Sequence, residues 1–133
     1  MNRAVADTHA LIWWSLGPPK KLGRRARALF ARAERGNATI YIPVLGFVEV
    51  SEAMRRGAFP GAAGFSRWME AVVASTGFAA ADLTADVVLE AETIHLVPER
   101  GDRLIAATAL HLGCPLITRD PVFTRVPGLT TIW

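Results

Sequence analysis

Four acidic residues occupy positions in which a carboxylate is either unusual or well placed for chemistry. Asp7 and Asp120 each directly follow a short apolar run that is typical of a buried β-strand. Glu49 stands inside an apolar stretch, where a carboxylate needs a partner or a metal to offset its desolvation. Asp102 comes just before another apolar run. These positions make the four acids candidates for catalysis and metal binding.

Each acid taken alone also has a simple structural interpretation. Asp7 and Asp102 could each be the N-cap of a helix. Asp120 precedes a proline and could be a turn residue, whereas Glu49 could pair with an arginine further along its helix or face solvent. The four acids carry more weight together than singly, because all are predicted at one edge of a sheet.

Convergence of four carboxylates has an electrostatic consequence. Like charges 4 Å apart repel by about 4 kcal/mol at an effective dielectric constant near 20, so a cation is needed to hold them together. Oxygen ligands favour a hard ion such as Mg²⁺ or Mn²⁺. Zinc is disfavoured, since no Cys or His lies at ligand spacing.

The elements that position these acids alternate between short apolar runs and segments with helical periodicity. Strands are predicted over 3–6, 39–42, 77–80 and 115–118, with an edge strand within 129–133. Helices are predicted over 8–14, 22–33, 45–54, 65–73, 84–94 and 103–112. The pattern favours an α/β fold with helices on both faces of a central, mainly parallel sheet. In such folds ligands bind at the carboxyl ends of the strands.

Two of the predicted helices have a clear apolar face. The first face comprises Phe65, Trp68, Met69, Val72 and Val73, and the second comprises Val87, Val88, Ala91 and Ile94. Both faces are predicted to lie in the core rather than at a cofactor site.

The chain carries a formal net charge of +3, and all but two of its basic residues are Arg, whose planar guanidinium matches phosphate geometry. Seven basic residues between Lys20 and Arg35 are interpreted as lying on one helix. That helix is either a nucleic-acid contact or a solvated face.

The lone Cys114, the absence of a signal-peptide pattern and the short apolar runs predict a cytoplasmic protein without a membrane span.

Several segments together resemble one protein family. The segment Asp7–Trp14, DTHALIWW, resembles the opening of VapC-type PIN domains, the toxins of bacterial toxin–antitoxin pairs. Residues 42–49 resemble the helix that carries the family's second acid, 102–109 resembles its "DRLIAAQA" helix, and 116–120 resembles its "LITaD" segment. The resemblance spans essentially the whole chain, and it predicts a single PIN-like domain over residues 1–133 with a three-layer α/β/α fold.

The resemblance implies a Mg²⁺- or Mn²⁺-dependent ribonuclease. Its acidic metal-binding set falls on Asp7, Glu49, Asp102 and Asp120. Thr118 is implied as a hydroxyl helper at the same rim. Glu99 is a fifth candidate, at a position where the family often has "DPFD" and this chain has Glu-Arg-Gly-Asp.

The resemblance also implies partners. Basic residues expected to contact the RNA backbone are Arg24, Arg25, Arg27, Arg100 and Arg119. A cognate antitoxin and a homodimer are typical of the family, and one of Trp13 and Trp14 is expected in the core with the other facing the groove.

The alternative hypothesis is a PIN-like module that binds RNA or a partner without cutting. Phosphatases of the haloacid-dehalogenase type are disfavoured, because His9 stands where they have a second Asp. Receiver domains are disfavoured because no lysine occurs late in the chain.

Overall fold

The computed structural model describes residues 2–58 and 64–133. The strands in these residues are β1 (Arg3–Ala6), β2 (Thr39–Pro43), β3 (Phe78–Ala81), β4 (Leu116–Ile117) and β5 (Thr131–Ile132). The α-helices are α1 (Thr8–Ser15), α2 (Arg24–Glu34), α3 (Val44–Arg55), α4 (Phe65–Ala74), α5 (Ala85–Glu92) and α6 (Arg100–Leu112). Short 3₁₀ helices cover Pro19–Lys21 and Pro121–Arg125.

The strands form one parallel sheet in the order β3-β2-β1-β4-β5. Val5 in the central strand β1 pairs with Tyr41 on one side and Leu116 on the other. The chain therefore leaves β1 toward β2 and later returns to its other side, which makes the carboxyl end of β1 the switch point of the sheet. This is the edge at which the sequence predicts the acidic site.

Helices cover both faces of the sheet, as predicted. Ala4 and Ala6 of β1 belong to a core shared with α1, α2, α3 and α4, whereas Val5 belongs to a core shared with α5 and α6. Successive side chains of a strand point to opposite faces, so β1 contributes to both cores. The prediction that Val73 and Val88 lie in the core is wrong, because Val73 is 44% exposed and Val88 is 45% exposed. Each lies at the margin of an amphipathic face whose centre is buried.

Several boundaries differ from prediction. Lys20 and Lys21 lie in a 3₁₀ turn and not on the basic helix, because α2 begins only after its N-cap Gly23. Helix α6 begins at Arg100 with Glu99 as N-cap, so Asp102 lies within its first turn and is not a cap. The loop predicted at Pro60 and Gly61 lies outside the described residues.

The predicted helix ends are confirmed where glycine permits them. Gly113 adopts the left-handed conformation, with φ of 64°, directly after α6. Gly36 has φ of 78° and directly follows Arg35, the C-cap of α2. Thr84 caps α5 by accepting a hydrogen bond from the backbone N–H of Val87. Within the described ranges, no helix has the length and hydropathy needed to cross a membrane.

Candidate active site

Asp7 lies at the centre of the carboxyl edge and is only 6% exposed. Its Oδ1 accepts a 2.8 Å hydrogen bond from the backbone N–H of Ala10, so it caps α1 while facing the site. Burial raises the pKa of Asp7, the hydrogen bonds from Thr118 and Ala10 oppose that rise, and the charge of Asp120 adds to it. Asp7 is therefore both an N-cap and a member of the site.

Thr118 connects the two acids that follow strands β1 and β4. It is 3% exposed, its hydroxyl donates to the carboxylate of Asp7, and its Oγ1 accepts a 3.1 Å hydrogen bond from the backbone N–H of Asp120. Asp120 in turn accepts from the N–H of Val122, which caps the following 3₁₀ helix. Thr118 thus holds Asp7 and Asp120 in a common arrangement.

Glu49 is brought to the site by a contact that the sequence does not reveal. Its Oε1 accepts a 2.9 Å hydrogen bond from the hydroxyl of Thr8, the first residue of α1. A Cβ atom on Gly101 would lie 3.8 Å from Oε2 of Glu49, so the first turn of α6 approaches the same carboxylate closely. The partner of Glu49 is therefore a hydroxyl on a neighbouring helix and not the arginine considered from the sequence.

The charges of all the other candidate acids act on the carboxyl group of Asp102. The pKa of Asp102 is raised to about 6, mainly by partial burial and further by repulsion from Glu99, Asp120, Glu49 and Asp7, in decreasing order. The four predicted acids, with Glu99 as the fifth, thus come within electrostatic range of one another. Their shared environment is negative, which makes a cation the natural ligand.

Glu99 lies at the side of this cluster. It is exposed, and its side chain makes no capping hydrogen bond to α6. Together with Glu49, Glu52, Arg56 and Arg100 it lines an open groove of about 500 Å³ between α3 and α6. Glu49 is the member of the four predicted acids that lines this groove.

The donor set fits a hard divalent cation. Its side chains offer only carboxylate and hydroxyl oxygens, and the pKa of Asp102 is raised first by burial and then by the charges of the neighbouring acids. Within residues 2–58 and 64–133, no three Asp, Glu, His or Cys side chains stand as close together as the ligands of one ion. Mg²⁺ commonly uses one or two carboxylates and keeps several waters, so a site for it does not require three such contacts.

A cavity of about 280 Å³ opens beside Asp7 and Asp120, and its other lining residues are His9, Trp13, Arg119 and Pro121. Trp13 forms a wall of this cavity, whereas Trp14 stacks on Phe30 and Phe78. The expected division of the two tryptophans does not hold, because Trp13 is buried in the core and also lines the cavity, whereas Trp14 is only partly buried. Sequence reasoning missed His9 here, as it missed Thr8 beside Glu49, although both directly follow Asp7 in the first turn of α1.

The predicted RNA-contacting arginines fall into separate groups. Arg119 lies in the acidic cavity, with its guanidinium carbon 4.5 Å from the centre of the Trp13 ring. Arg100 lines the groove on the α6 side. Arg24, Arg25 and Arg27 are exposed on α2 and line neither of these spaces. The structure thus brings Arg119 and Arg100 to the acids, and leaves the α2 arginines outside.

The fold and the site define an α/β protein with a carboxylate-lined pocket at the switch point of a parallel sheet. The sequence model of the family described as PIN domain matches residues 4–129, so the chain belongs to the PIN domain family. The family predicted from the sequence motifs is confirmed.

Solved structures of similar fold come from toxin–antitoxin complexes. VapBC2 from Rickettsia felis, bound to a fragment of its promoter DNA, is 14% identical with a TM-score of 0.74, and the match covers 98% of this chain and 97% of that one. A toxin–antitoxin complex from Klebsiella pneumoniae is 20% identical over 98% and 96% of the two chains, with a TM-score of 0.67. DNA-bound VapBC from Salmonella typhimurium is 19% identical over 99% and 98%, also with a TM-score of 0.67. No curated protein matches the sequence.

Proposed function

We propose that this protein is a metal-dependent ribonuclease that hydrolyses RNA phosphodiester bonds and serves as the toxin of a toxin–antitoxin pair. The observation that carries the proposal is the gathering of acids at one edge of the sheet. Asp7 follows β1, Asp120 follows β4, and Glu49 and Asp102 come from α3 and α6. Membership of the PIN domain family supports the same chemistry.

In this proposal Asp7, Asp102, Asp120 and Glu49 hold Mg²⁺ or Mn²⁺. The bound ion supplies charge stabilisation at phosphoryl oxygens and lowers the pKa of water. The chain's own part is positioning. Thr118 and the N–H of Ala10 hold Asp7 in one orientation, and Thr8 holds Glu49 where it can orient the attacking water.

The RNA strand is proposed to contact basic side chains on either side of the acids. Arg119 borders the cavity and Arg100 borders the groove, so a strand crossing the acids reaches both. Arg24, Arg25 and Arg27 extend the positive surface along α2. Binding through these charges weakens as salt rises, because phosphate contacts release counterions.

A cognate antitoxin, a homodimer and a cytoplasmic location complete the proposal. The support is that solved structures of the same fold are described as VapBC or toxin–antitoxin complexes. The test is co-expression of the tagged protein with the product of a short neighbouring reading frame. A stable complex that suppresses RNA cleavage supports the pairing, whereas cleavage undiminished by every neighbouring product contradicts it.

The decisive test of the enzyme is cleavage of total cellular RNA by purified protein in Mg²⁺, in Mn²⁺ and in EDTA. Asp7→Asn and Asp102→Asn are the active-site variants. Asp86→Asn is the matched control, since Asp86 also lies in the first turn of a helix but is exposed on α5. Metal-dependent fragments that vanish only in the active-site variants support the proposal. Absence of cleavage, or equal cleavage by all variants, favours the PIN-like binding module.

A further inference from the structure

Trp13 carries two cations at the border of the acidic cavity. We infer that Trp13, Lys21 and Arg119, which we term the Trp13 clamp, bind backbone phosphate of the RNA strand next to the phosphodiester that is cleaved. The inference rests on the proposed function and adds a defined subsite to it. It also gives a role to Lys21, which the sequence places on a helix and the structure places in a separate turn.

Both cations of the clamp lie near the ring of Trp13, which is itself buried. The guanidinium carbon of Arg119 lies 4.5 Å and the ammonium nitrogen of Lys21 lies 5.7 Å from the centre of the Trp13 ring. Both distances are within the range of about 6 Å over which a cation is attracted to an aromatic face. Trp13 itself is only 9% exposed. The ring is thus a fixed support for two flexible, exposed side chains.

Trp133 explains why the Trp13 ring is fixed. Its ring meets that of Trp13 edge-on, at 5.6 Å and 70°. Trp133 is held in turn against Gly23, where an added Cβ atom would lie 2.4 Å from the Trp133 carbonyl carbon. Only glycine allows this approach, so the start of α2 supports the clamp through two tryptophans.

The donors of both cations remain available to an external ligand. Among the described residues, neither the Lys21 nor the Arg119 side chain forms a salt bridge or hydrogen bond, and their contacts are with the Trp13 ring. An aromatic face attracts a cation without occupying its N–H groups. The clamp therefore has the chemistry of a phosphate site.

The position of the clamp selects RNA over other anions. Arg119 lines the same cavity as Asp7 and Asp120, so a strand whose scissile phosphate meets the acids continues directly onto the clamp. An acidic protein segment on the clamp would bring more carboxylates next to Asp7 and Asp120. It has no phosphodiester that a metal ion at these acids could help to cleave. RNA binding that is unchanged in the variants below would leave the surface to such a segment and overturn the inference.

The test measures the salt dependence of RNA binding in EDTA, with a short fluorescein-labelled single-stranded RNA as probe. The variants are Lys21→Gln, Arg119→Gln and the double variant. Arg35→Gln is the matched control, because Arg35 is an exposed arginine at the far end of α2, next to the amino edge of the sheet. Circular dichroism verifies folding, and buried Trp13 is changed only to Phe.

The logarithm of the association constant falls linearly with the logarithm of the salt concentration. Each lost phosphate contact is expected to make this slope less steep by about 0.7, and loss of both contacts in the double variant by about twice that. Trp13→Phe keeps both charges, so it is expected to keep the slope while affinity falls about two- to fivefold. Slopes equal to wild type, or an equal loss in Arg35→Gln, overturn the clamp. Because this measurement needs no cleavage, failure of the ribonuclease proposal leaves it interpretable. Cleavage with unchanged slopes rejects the clamp alone.

Discussion

The hydroxyl of Thr8 donates a 2.9 Å hydrogen bond to Oε1 of Glu49, which joins the start of α1 to the middle of α3. Thr8 directly follows Asp7, so one turn of chain orients two acids of the site. Asp7 is held through its own capping hydrogen bond, and Glu49 is held through its neighbour. This arrangement makes the first turn of α1 the organising element of the acidic edge.

Loss of the Thr8 hydroxyl is therefore expected to impair cleavage without removing any acid. We predict that Thr8→Val lowers kcat about tenfold to a hundredfold, because Glu49 is no longer held in position. Thr8→Ser keeps the hydroxyl and is expected to retain most of the activity. Cleavage rates on one RNA substrate measure both. Equal activity in Thr8→Val and wild type would show that Glu49 needs no positioning.

The raised pKa of Asp102 predicts that the stability of the protein depends on pH. The pKa of Asp102 is raised to about 6 in the folded protein from an ordinary 3.8, so the folded state binds its proton more tightly. The contribution of Asp102 to stability is then greatest below pH 3.8 and is lost as the pH rises through about 6. After discounting for solvent screening of this partly exposed group, we expect Asp102→Asn to stabilise the metal-free protein by about 1 kcal/mol near pH 8.

Thermal unfolding in EDTA at several pH values measures this effect. The gain in Asp102→Asn should vanish below pH 3.8, where the wild-type carboxyl is also neutral. Asp86→Asn provides the control for loss of an acid from a first helical turn, since Asp86 is exposed. A lower Tm for Asp102→Asn near pH 8 would contradict the destabilisation expected from a partly buried charge among other acids.

Divalent cations are predicted to reverse that order of stability. A ligand that binds only the folded state stabilises it by RT ln(1 + [L]/Kd), about 1.4 kcal/mol for each tenfold excess over Kd. Mg²⁺ or Mn²⁺ should therefore raise the Tm of wild type and of Asp86→Asn. The same titration should leave Asp7→Asn and Asp102→Asn nearly unchanged. Equal shifts in all four proteins would indicate nonspecific screening.

Two glycines with similar backbone angles allow a matched test of packing. Gly77 has φ of 80° and Gly57 has φ of 77°. A Cβ atom on Gly77 would lie 2.1 Å from the carbonyl oxygen of Ala33, whereas no atom of residues 2–58 and 64–133 lies within 4 Å of one on Gly57.

Gly57→Ala should therefore cost about 1–2 kcal/mol of stability from the left-handed conformation alone. Gly77→Ala should cost clearly more, because the last turn of α2 at Ala33 must also move away from the new methyl group. Denaturant unfolding of the two variants measures the difference. Equal losses would show that the end of α2 yields without strain.

Local sequence signals predicted the elements well and their margins less well. The strand Arg3–Ala6 and the end of α6 at Gly113 agree with the structure, because apolar runs and glycine act on their immediate neighbours. Val73 and Val88 were wrongly placed in the core. Periodicity identifies the centre of an apolar face, but its width depends on how far the neighbouring helix extends.

The sequence by itself determined that Asp7 and Asp120 each follow a buried strand, because strand ends are encoded in local apolar patterns, whereas the tertiary structure decided that these two strands are neighbours. The sequence also determined the family through contiguous motifs. Only the tertiary structure decided that Thr8 reaches Glu49, that Thr118 links Asp7 to Asp120, and that Lys21 and Arg119 each lie close to the Trp13 ring. Most of these partners are distant along the chain, and they meet only because helices packed on one sheet bring their ends to the same edge.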